Sequence, residues 1–393
     1  MAVAEHPVVV IGGGIVGLCF AQLLAEAQLP VVVVESHRPT LQWDPSSLDA
    51  RVSAINAASQ RCLERLGVWS RLPTQSYSPL SALWVWDGIS KAEITFDSAE
   101  IGAPALGAIV ENRALVRALW ESLQGHSCVE LLCPATPQNL APHAEGLLLT
   151  LHSGRAMVTP LIVGADGAHS WVSEHMASDR QTGHYGQSAI VAVVQTEEPH
   201  QCTGWQVFLP TGPLALLPLA DKHHCAIVWS TDTAQAEHLV HQDTSVFNDA
   251  IHQAFGVRLG DIQLLDQPRA FPLIMRHAQH YVQPHQALIG DAAHTLHPLA
   301  GQGVNLGIRD AFCLAQCLIE TSQVGSWRAL RRYERSRKGD NTLMLWAMRG
   351  FKELFGSTSP WVVQSRSLGL TLTDRWQPLK NGLMHVAMGE WCL

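Results

Sequence analysis

The amino-acid sequence predicts an α/β (α+β) protein in which a Rossmann-like nucleotide-binding domain carries an inserted, mostly antiparallel β-sheet and is followed by a C-terminal helical region. Three observations lead to this fold class. A charge-free stretch from Val8 to Ala25 has the strand, glycine turn and helix that open a βαβ unit. Between residues 185 and 285, short strand-like runs are broken by Pro, Gly and Asp. After residue 286 an apolar strand returns and long runs with helical spacing follow.

Hydrophobic periodicity predicts the individual elements in order. In the first half, we expect strands at 8–11, 31–34, 81–96 (an antiparallel pair), 129–133, 147–151 and 161–164, and helices at 15–27, 51–69 and 111–123. In the second half, we expect strands at 189–195, 205–209, 214–217, 224–230 and 287–289, and helices at 244–255, 303–320, 326–355 and in the tail. These elements divide the chain into a nucleotide-binding domain (1–75, 110–180 and 286–345), a substrate domain (76–109 and 181–285) and a C-terminal helical region (346–393).

Composition excludes several classes of function. The 393 residues carry a formal net charge of −8, whereas nucleic-acid-binding proteins usually have a basic excess, so we expect no nucleic-acid partner. Nine cysteines without a CxxC pair predict reduced thiols in the cytoplasm rather than disulfides. Twenty histidines without an HExxH or related spacing predict no metal site. Because turn glycines interrupt the stretch from Val8 to Ala25, we expect a soluble or peripheral protein.

The first glycine motif is typical of dinucleotide binding. Gly12 permits a tight turn, Gly14 lets the backbone approach a diphosphate, and Gly17 lets helix and strand pack closely. The N–H groups and dipole of the helix would then stabilise the diphosphate. Glu35, at the end of the second strand, can accept hydrogen bonds from both hydroxyls of an adenosine ribose.

A second glycine-rich segment indicates which dinucleotide binds. Gly290 and Asp291 follow an apolar strand, where a carboxylate can bind the ribityl hydroxyls of FAD. The turn from Gly301 to Gly303 places a helix N-terminus beside the flavin pyrimidine ring, and its N–H groups can stabilise the negative charge of reduced flavin. Asn305 can add a side-chain hydrogen bond. We therefore predict FAD as the cofactor, bound at both ends.

Together with Asp166-Gly167, these motifs resemble those of the single-component FAD-dependent aromatic hydroxylases, which have the p-hydroxybenzoate hydroxylase-like fold. Within that superfamily the chain most resembles the ubiquinone-biosynthesis hydroxylases, and among these the ones that act on 2-polyprenylphenols. The resemblance extends over essentially the whole chain and specifies the family more strongly than the substrate. Its supporting segments are Arg51–Ser59, Thr196–His200, His297–Gly307 with Asp310, and Leu330–Lys338.

The resemblance implies three further cofactor contacts. Arg51 would neutralise the diphosphate or lie beside the isoalloxazine, and Arg113 would occupy a cofactor-binding position; a surface ion pair is the alternative for each. Asp166 would contact FAD and take part in transient NAD(P)H docking. Ser173 stands where the family usually has Arg, which leaves the details of that docking open. Since there is no second Rossmann motif, NAD(P)H is expected as a transient electron donor.

The same resemblance places Pro298 where the backbone faces the substrate ring. His297 could orient or deprotonate a phenol, because its unperturbed pKa is near neutrality; a loop histidine bonded to backbone is the alternative. Six apolar residues of the inserted sheet either line the substrate site or pack the core: Phe208, Leu214, Leu216, Trp229, Phe271 and Leu273.

The implied function is an FAD-dependent monooxygenase that uses NAD(P)H and O2 to hydroxylate a polyprenylphenol, at ring carbon 5, in ubiquinone biosynthesis through a C4a-hydroperoxyflavin. Alternatives are another ring position in the same pathway, a soluble aromatic acid, or a non-catalytic FAD-containing subunit of a quinone-biosynthesis assembly. A lipid substrate implies contact with other ubiquinone-biosynthesis proteins or with the inner face of the membrane. Residues 328–338, with six basic residues and one acid, are either a helix for anionic headgroups or a solvated face with internal ion pairs.

Overall fold

The computed structural model describes residues 6–42, 44, 47, 49–176, 180–295, 303–321 and 323–390. Its helices are α1 (Ile15–Glu26), α2 (Ala57–Arg65), α3 (Asn112–Leu123), α4 (Trp171–His175), α5 (Thr233–Val240), α6 (Thr244–Phe255), α7 (Gly303–Ile319), α8 (Trp327–Gly356), α9 (Pro360–Arg375) and α10 (Gln377–Ala387). Its strands are β1 (Val8–Ile11), β2 (Val31–Val34), β3 (Val52–Asn56), β4 (Tyr77–Leu80), β5 (Ala82–Asp87), β6 (Glu93–Asp97), β7 (Gly107–Glu111), β8 (Val129–Leu132), β9 (Pro137–His143), β10 (Gly146–Leu151), β11 (Ala156–Thr159), β12 (Ile162–Gly164), β13 (Arg180–Thr196), β14 (Thr203–Leu209), β15 (Gly212–Pro218), β16 (His224–Asp232), β17 (Ile262–Leu264), β18 (Arg269–Ala278), β19 (Val282–Gln283), β20 (Gln286–Leu288) and β21 (His294–Thr295).

Six strands form the predicted Rossmann-like sheet, in the order β19-β20-β12-β1-β2-β8. The five strands from β20 to β8 run parallel, and β1 and β2 are buried along their whole length. Central parallel strands are covered on both faces, which is why they are continuous apolar runs. Helix α1 packs against both α3 and α7. The helix that begins at the first glycine motif therefore contacts the helix that begins at the second.

The inserted sheet confirms the predicted, mostly antiparallel architecture. Its strands follow the order β21-β18-β13-β16-β15-β14-β5-β6, and β17 also pairs with β13. The parallel exception is the pair β14–β5. One face of the sheet packs on α5 and α6 and forms a second hydrophobic core, whose members include Trp86, Ile190, Leu214, Leu216, Trp229 and Phe247.

Strand alternation separates the apolar residues that were proposed as substrate liners. Leu214, Leu216 and Trp229 lie in the core against α5 and α6, so core packing accounts for them. Phe208 points to the opposite face and stacks on Phe355 of α8, with ring centroids 4.0 Å apart. That opposite face, which we call the open face, is the side of the sheet turned away from α5 and α6, and α8 covers it at Phe208.

The predicted helix over 51–69 is wrong in its first part. Strand β3 occupies Val52–Asn56, and α2 begins only after Asn56, whose side chain accepts a hydrogen bond from the Ser59 N–H group as an N-cap. Strand β3 pairs with β7, which also pairs with β4. The partner that makes Val52–Asn56 a strand is about 50 residues away, and local periodicity does not show it.

The C-terminal region is helical, as predicted, although α8 runs without a break through the predicted boundary at residues 345 and 346. Helices α8 and α9 contact the inserted sheet, and α10 follows α9 after Trp376. Within the described part of the chain, no helix is both long enough and apolar enough to cross a bilayer.

Candidate cofactor site and active site

The first glycine turn is built to pack closely on one side and to stay open on the other. Gly12 has φ +110°, and a Cβ there would lie 2.4 Å from the carbonyl oxygen of Ala165. A Cβ on Gly17 would lie 2.1 Å from the carbonyl oxygen of Gly12. A Cβ on Gly14, by contrast, would meet no described atom within 4 Å. Gly12 and Gly17 are therefore required by the fold itself, whereas Gly14 leaves space next to the N-terminus of α1.

Glu35 is fixed at this turn by backbone donors. The Gly13 N–H group donates to Glu35 Oε2 at 2.6 Å, and the His37 N–H group donates to Glu35 Oε1 at 2.8 Å. A Cβ on Gly13 would lie 3.0 Å from the Glu35 Cβ. Gly13 was not among the predicted site residues. Its position inside the glycine run, opposite the end of the second strand, indicates the contact with Glu35.

The two glycine-rich segments meet at Val16 of α1. A Cβ on Gly290 would lie 3.3 Å from the Val16 methyl groups, and a Cβ on Gly307 of α7 would lie 2.5 Å from one of them. Gly307 is thus the point at which α7 packs against α1. Residues nearly 300 positions apart in the sequence are thereby brought to one place.

Asp291 lies beside the start of α7. Its side chain keeps an exposed surface, yet surrounding protein atoms desolvate the carboxyl group and raise its pKa, partly offset by His294. A Cβ on Gly303 would lie 3.9 Å from Asp291 Oδ1, so the carboxylate is next to the first residue of α7. The helix N-terminus and the carboxylate therefore face the same space.

Asp310 holds this segment in place through a buried network. Its Oδ2 accepts hydrogen bonds from the Gly290 N–H group at 3.1 Å and from His294 Nε2 at 2.5 Å. Its Oδ1 accepts from Arg337 Nε at 2.8 Å and from Asn341 Nδ2 at 3.3 Å. All these side chains are buried, so charged and polar groups join α7 and α8 to the turn that carries Asp291.

The electrostatics of the network follow from its geometry. Burial alone would raise the pKa of Asp310, but the charges of His294 and Arg337 and their hydrogen bonds lower it below the usual value. Behind the network, burial and the positive charge of His294 and Lys338 lower the pKa of His277 to about 4, so His277 is neutral at physiological pH. Asp310 therefore stays ionised and paired.

Asp166 follows β12 and lies across the turn from Gly12. Its Oδ2 accepts hydrogen bonds from the Trp171 and Val172 N–H groups, at 2.7 and 3.4 Å, at the start of α4. Its Oδ1 is buried and has no hydrogen-bond partner among the described residues. Burial raises the pKa of Asp166, against the opposing hydrogen bonds from Ser170 and the backbone. A buried acceptor of this kind normally meets a donor, which a bound molecule can supply.

The two predicted arginines lie on and beside the loop between β2 and β3. Arg51 has 69% of its side chain exposed, and its Nε is 4.0 Å from Asp49 Oδ1. Arg113 donates from Nε to Glu111 Oε2 at 2.7 Å and from its other nitrogens to Ser47. The Arg113 contacts fit the ion-pair alternative, and for both arginines contact with the cofactor stays a prediction.

The side chain of Asn305 hydrogen-bonds to the backbone of β3. Its Oδ1 accepts from the Asn56 N–H group at 3.0 Å, and its Nδ2 donates to the Ala54 carbonyl oxygen at 2.7 Å. The side chain ties the first turn of α7 to β3, so it positions the helix N-terminus whether or not it also contacts the flavin. The predicted residues His297, Pro298 and Gly301 lie outside the described residues.

Comparison with known proteins places this geometry in a family. Residues 5–344 match the FAD binding domain family. The chain is 38% identical over 386 residues to 3-demethoxyubiquinol 3-hydroxylase of Escherichia coli (strain K12), covering 97% of this chain and 98% of the relative. It is 32% identical over 432 residues to the ubiquinone biosynthesis monooxygenase COQ6, mitochondrial, of Danio rerio, covering 97% and 89%. The chain belongs to the FAD-dependent monooxygenases of ubiquinone biosynthesis.

The fold of this monooxygenase is shared more widely. The solved structure of p-nitrophenol 4-monooxygenase PnpA from Pseudomonas putida DLL-E4 superposes with a TM-score of 0.81 at 16% identity, covering 99% of both chains. The predicted family, fold class and FAD cofactor are confirmed, and NAD(P)H is the electron donor typical of the family.

The described residues of the monooxygenase fit FAD. Gly14 leaves space for a diphosphate at the N-terminus of α1, Asp291 offers an exposed carboxylate beside the start of α7, and Asp166 has an unpartnered acceptor. Helix α7 begins next to Asp291, where its N–H groups can stabilise negative charge on the flavin. When bound and reduced by NAD(P)H, FAD would supply the electrons that activate O2 for hydroxylation.

The structure shows that Asp310, His294 and Arg337 support the turn at Gly290, a role that could not be assigned from the sequence. From the sequence, Asp310 was named only as part of the family signature, and Arg337 only as one of the basic residues of 328–338. Arg337 is in fact 4% exposed and paired with Asp310 and Asp340, so it is not available to a headgroup. The available signal was its spacing: Arg337, Tyr333 and Asn341 lie four residues apart, on one side of a helix.

Substitution of two of the motif glycines should separate fold from cofactor binding. We expect Gly14→Val to fold with nearly unchanged stability but to bind FAD about 100-fold more weakly, because the new side chain fills the space for the diphosphate. Gly12→Val should destabilise the apoprotein by about 3 kcal/mol or more, because its φ and its contact with Ala165 admit no side chain. Urea unfolding of both apoproteins and titration with FAD measure the two effects. Full FAD affinity in Gly14→Val would contradict the assignment of that space.

Proposed function

We propose that this monooxygenase hydroxylates the aromatic ring of a polyprenyl-substituted phenol or quinol in ubiquinone biosynthesis, with FAD, NAD(P)H and O2. The observation that carries the proposal is the 38% identity to 3-demethoxyubiquinol 3-hydroxylase over nearly the full length of both chains. The substrate named for that relative, a demethoxyubiquinol, favours a ring that already bears other substituents. Hydroxylation of a 2-polyprenylphenol at ring carbon 5, the position implied by the motif resemblance, is the second candidate.

The open face of the inserted sheet supports an apolar substrate. Val191, Val228, Ala215 and Gln206 lie side by side on β13, β16, β15 and β14, on the face opposite the core with α5 and α6. Val191, Val228 and Gln206 keep part of their surface exposed although their strands are central. A central strip of small and aliphatic side chains with one amide suits a hydrocarbon-bearing ring.

The turn at Gly290–Ala292, which carries Asp291, leads directly into the inserted sheet. Strand β21 follows the turn at Gly290–Ala292 and pairs with β18, so the edge of the sheet adjoins Asp291. In the proposed reaction, the start of α7 stabilises the negative charge that accompanies reduction, and the sheet excludes water from the ring. Asp310 and Arg337 act on neither reactant; they position Gly290 and His294.

We also propose that the enzyme acts at the inner face of the membrane or with other proteins of the pathway, since the substrate is a lipid. The alternative of a non-catalytic FAD-containing subunit is disfavoured because the chain belongs to a family of monooxygenases. It predicts bound FAD without NAD(P)H consumption that responds to any polyprenylphenol.

The test is product analysis with the purified, FAD-loaded protein. We expect NAD(P)H oxidation to be stimulated by a demethoxyubiquinol with a short prenyl chain, and mass spectrometry to find one added ring oxygen. A 2-polyprenylphenol tests the second candidate, and 4-hydroxybenzoate serves as the soluble-acid control. Stimulation by 4-hydroxybenzoate alone would reject a lipid substrate, and no stimulation by any of the three would favour the non-catalytic subunit.

A further inference from the structure

The surface of α8, α9 and α10 differs from the rest of the molecule in charge. Residues 328–383 contain eleven Lys and Arg and four Asp and Glu, a net charge of +7 in a chain whose net charge is −8. Three of these cations are buried against carboxylates: Arg337 with Asp310, Arg366 with Asp87, and Lys380 with Glu100 and Asp374. The remaining cations belong to the surface and make it basic within an acidic protein.

Three of these surface cations line a groove along α8. The groove has a volume of about 680 Å³ and is lined at one end by Arg331, Arg335 and Lys338, with His280 across from them. Leu343 and Trp346 line its other end. These α8 residues recur every three to five positions, so they share one side of the helix. Arg331 also pairs with Glu334 at 2.5 Å, but the end of the groove keeps a net positive charge.

Beyond the groove, the same region exposes large apolar side chains. Of the seventeen large hydrophobic residues that are exposed in the described part of the chain, ten lie between Leu343 and Leu383. Trp346, Trp361 and Trp376 are 64%, 81% and 62% exposed. Soluble proteins rarely expose a large apolar patch without a partner, and tryptophan is enriched where proteins contact the membrane–water interface.

We propose that this surface, the groove together with the exposed apolar residues of α8–α10, docks on a bilayer that contains anionic phospholipids. Phosphate headgroups would contact Arg331, Arg335 and Lys338, while Leu343 and the tryptophans enter the interfacial layer. A second copy of the chain is disfavoured as the occupant, because a symmetric contact would place this basic face against itself. The inference rests on the proposed function only in that a lipid substrate gives the docking a purpose.

The docking surface is connected to the active site through the same helices. The opposite side of α8 carries Arg337 and Asn341, which bind Asp310, and Tyr333, whose hydroxyl donates to the Leu288 carbonyl oxygen at 2.7 Å. Further along, Phe355 stacks on Phe208 of the open face. A bilayer against α8 and α9 would therefore lie about one helix diameter, ~10 Å, from the cofactor segment and the substrate sheet.

Sedimentation of the FAD-loaded protein with vesicles tests the proposal. We expect binding to phosphatidylcholine vesicles that contain phosphatidylglycerol, much weaker binding to phosphatidylcholine alone, and a decrease with rising salt. The double variant Arg335→Gln/Lys338→Gln should bind about 30-fold more weakly, since each cation near an anionic surface strengthens binding about fivefold. Leu343→Ser/Trp346→Ser should also weaken binding. The matched controls Lys222→Gln and Val257→Ser, exposed residues outside the surface, should bind like the wild type.

The outcomes separate this proposal from the proposed function. No variant touches the cofactor or the open face, so turnover of a detergent-dispersed, short-chain substrate should be unchanged in all of them. Vesicle binding is measured without substrate, so it can succeed if the hydroxylase assignment fails. The proposal is overturned by equal binding to neutral and anionic vesicles, by unchanged binding of both double variants, or by a dimer in sedimentation velocity that Leu343→Ser/Trp346→Ser dissociates.

Discussion

Asp291→Ala should yield a colourless protein that folds normally. Among the described residues, no donor hydrogen-bonds to the Asp291 carboxylate, and desolvation by the surrounding protein atoms already raises its pKa, so its removal should not destabilise the apoprotein. FAD affinity should fall about 100-fold or more, because hydrogen bonds to a charged acceptor contribute about 1.5–3 kcal/mol each and a ribityl chain offers several hydroxyls. The measurement is the flavin absorbance of the purified protein, followed by titration of the apoprotein with FAD.

Two variants sharpen this result. Asp291→Asn keeps the shape and one acceptor, and should recover part of the affinity. Asp249→Ala removes an exposed carboxylate from α6, in the substrate domain, and should leave FAD binding unchanged. A yellow, fully loaded Asp291→Ala protein would show that the cofactor does not need this carboxylate.

Arg337→Met should have the largest effect on stability. It leaves Asp310, which is completely buried, without its guanidinium partner, and breaking a buried ion pair from one side costs about 3–5 kcal/mol. Since Asp310 also accepts from the Gly290 N–H group, the variant should bind FAD more weakly although Arg337 belongs to another helix. Urea unfolding of the apoprotein and FAD titration measure the two effects.

Arg332→Met is the matched control on the same helix. Arg332 pairs with Glu320 on the surface, where its side chain is 54% exposed, and such pairs contribute at most about 1 kcal/mol. Equal losses of stability in the two variants would mean that the Asp310 network does not support the fold.

The same network predicts a dependence on pH. The folded-state pKa of Asp310 is lowered, so its contribution to stability is present above the unfolded-state pKa of about 3.9 and is lost as pH falls through the lower folded-state value. Arg337→Met removes one cause of that lowering. We therefore expect its acid unfolding, followed by circular dichroism, to begin at higher pH than that of the wild type. An unchanged acid transition would contradict the role of Arg337.

Several elements could be predicted because their cause is local. The runs Val8–Ile11 and Val31–Val34 are apolar without interruption, and only a strand covered on both faces needs that pattern. Helix α6 was predicted with its observed bounds, since Phe247, Ile251 and Phe255 recur at helical spacing and are all buried. Strand β3 was missed because the local pattern fits a helix and its partner β7 is remote.

The sequence alone determined the family and the FAD cofactor. It also placed Gly12 and Gly14 in a turn before α1, because turn geometry and helix N-termini depend on neighbouring residues. Only the tertiary structure decided which charges are buried. Arg332 and Arg337 belong to the same basic run, yet Arg332 forms a surface ion pair and Arg337 binds Asp310 beneath the turn at Gly290. Burial depends on what packs against each side of α8. The partners of Tyr333, Arg337 and Asn341 lie 27 to 60 residues away in the chain.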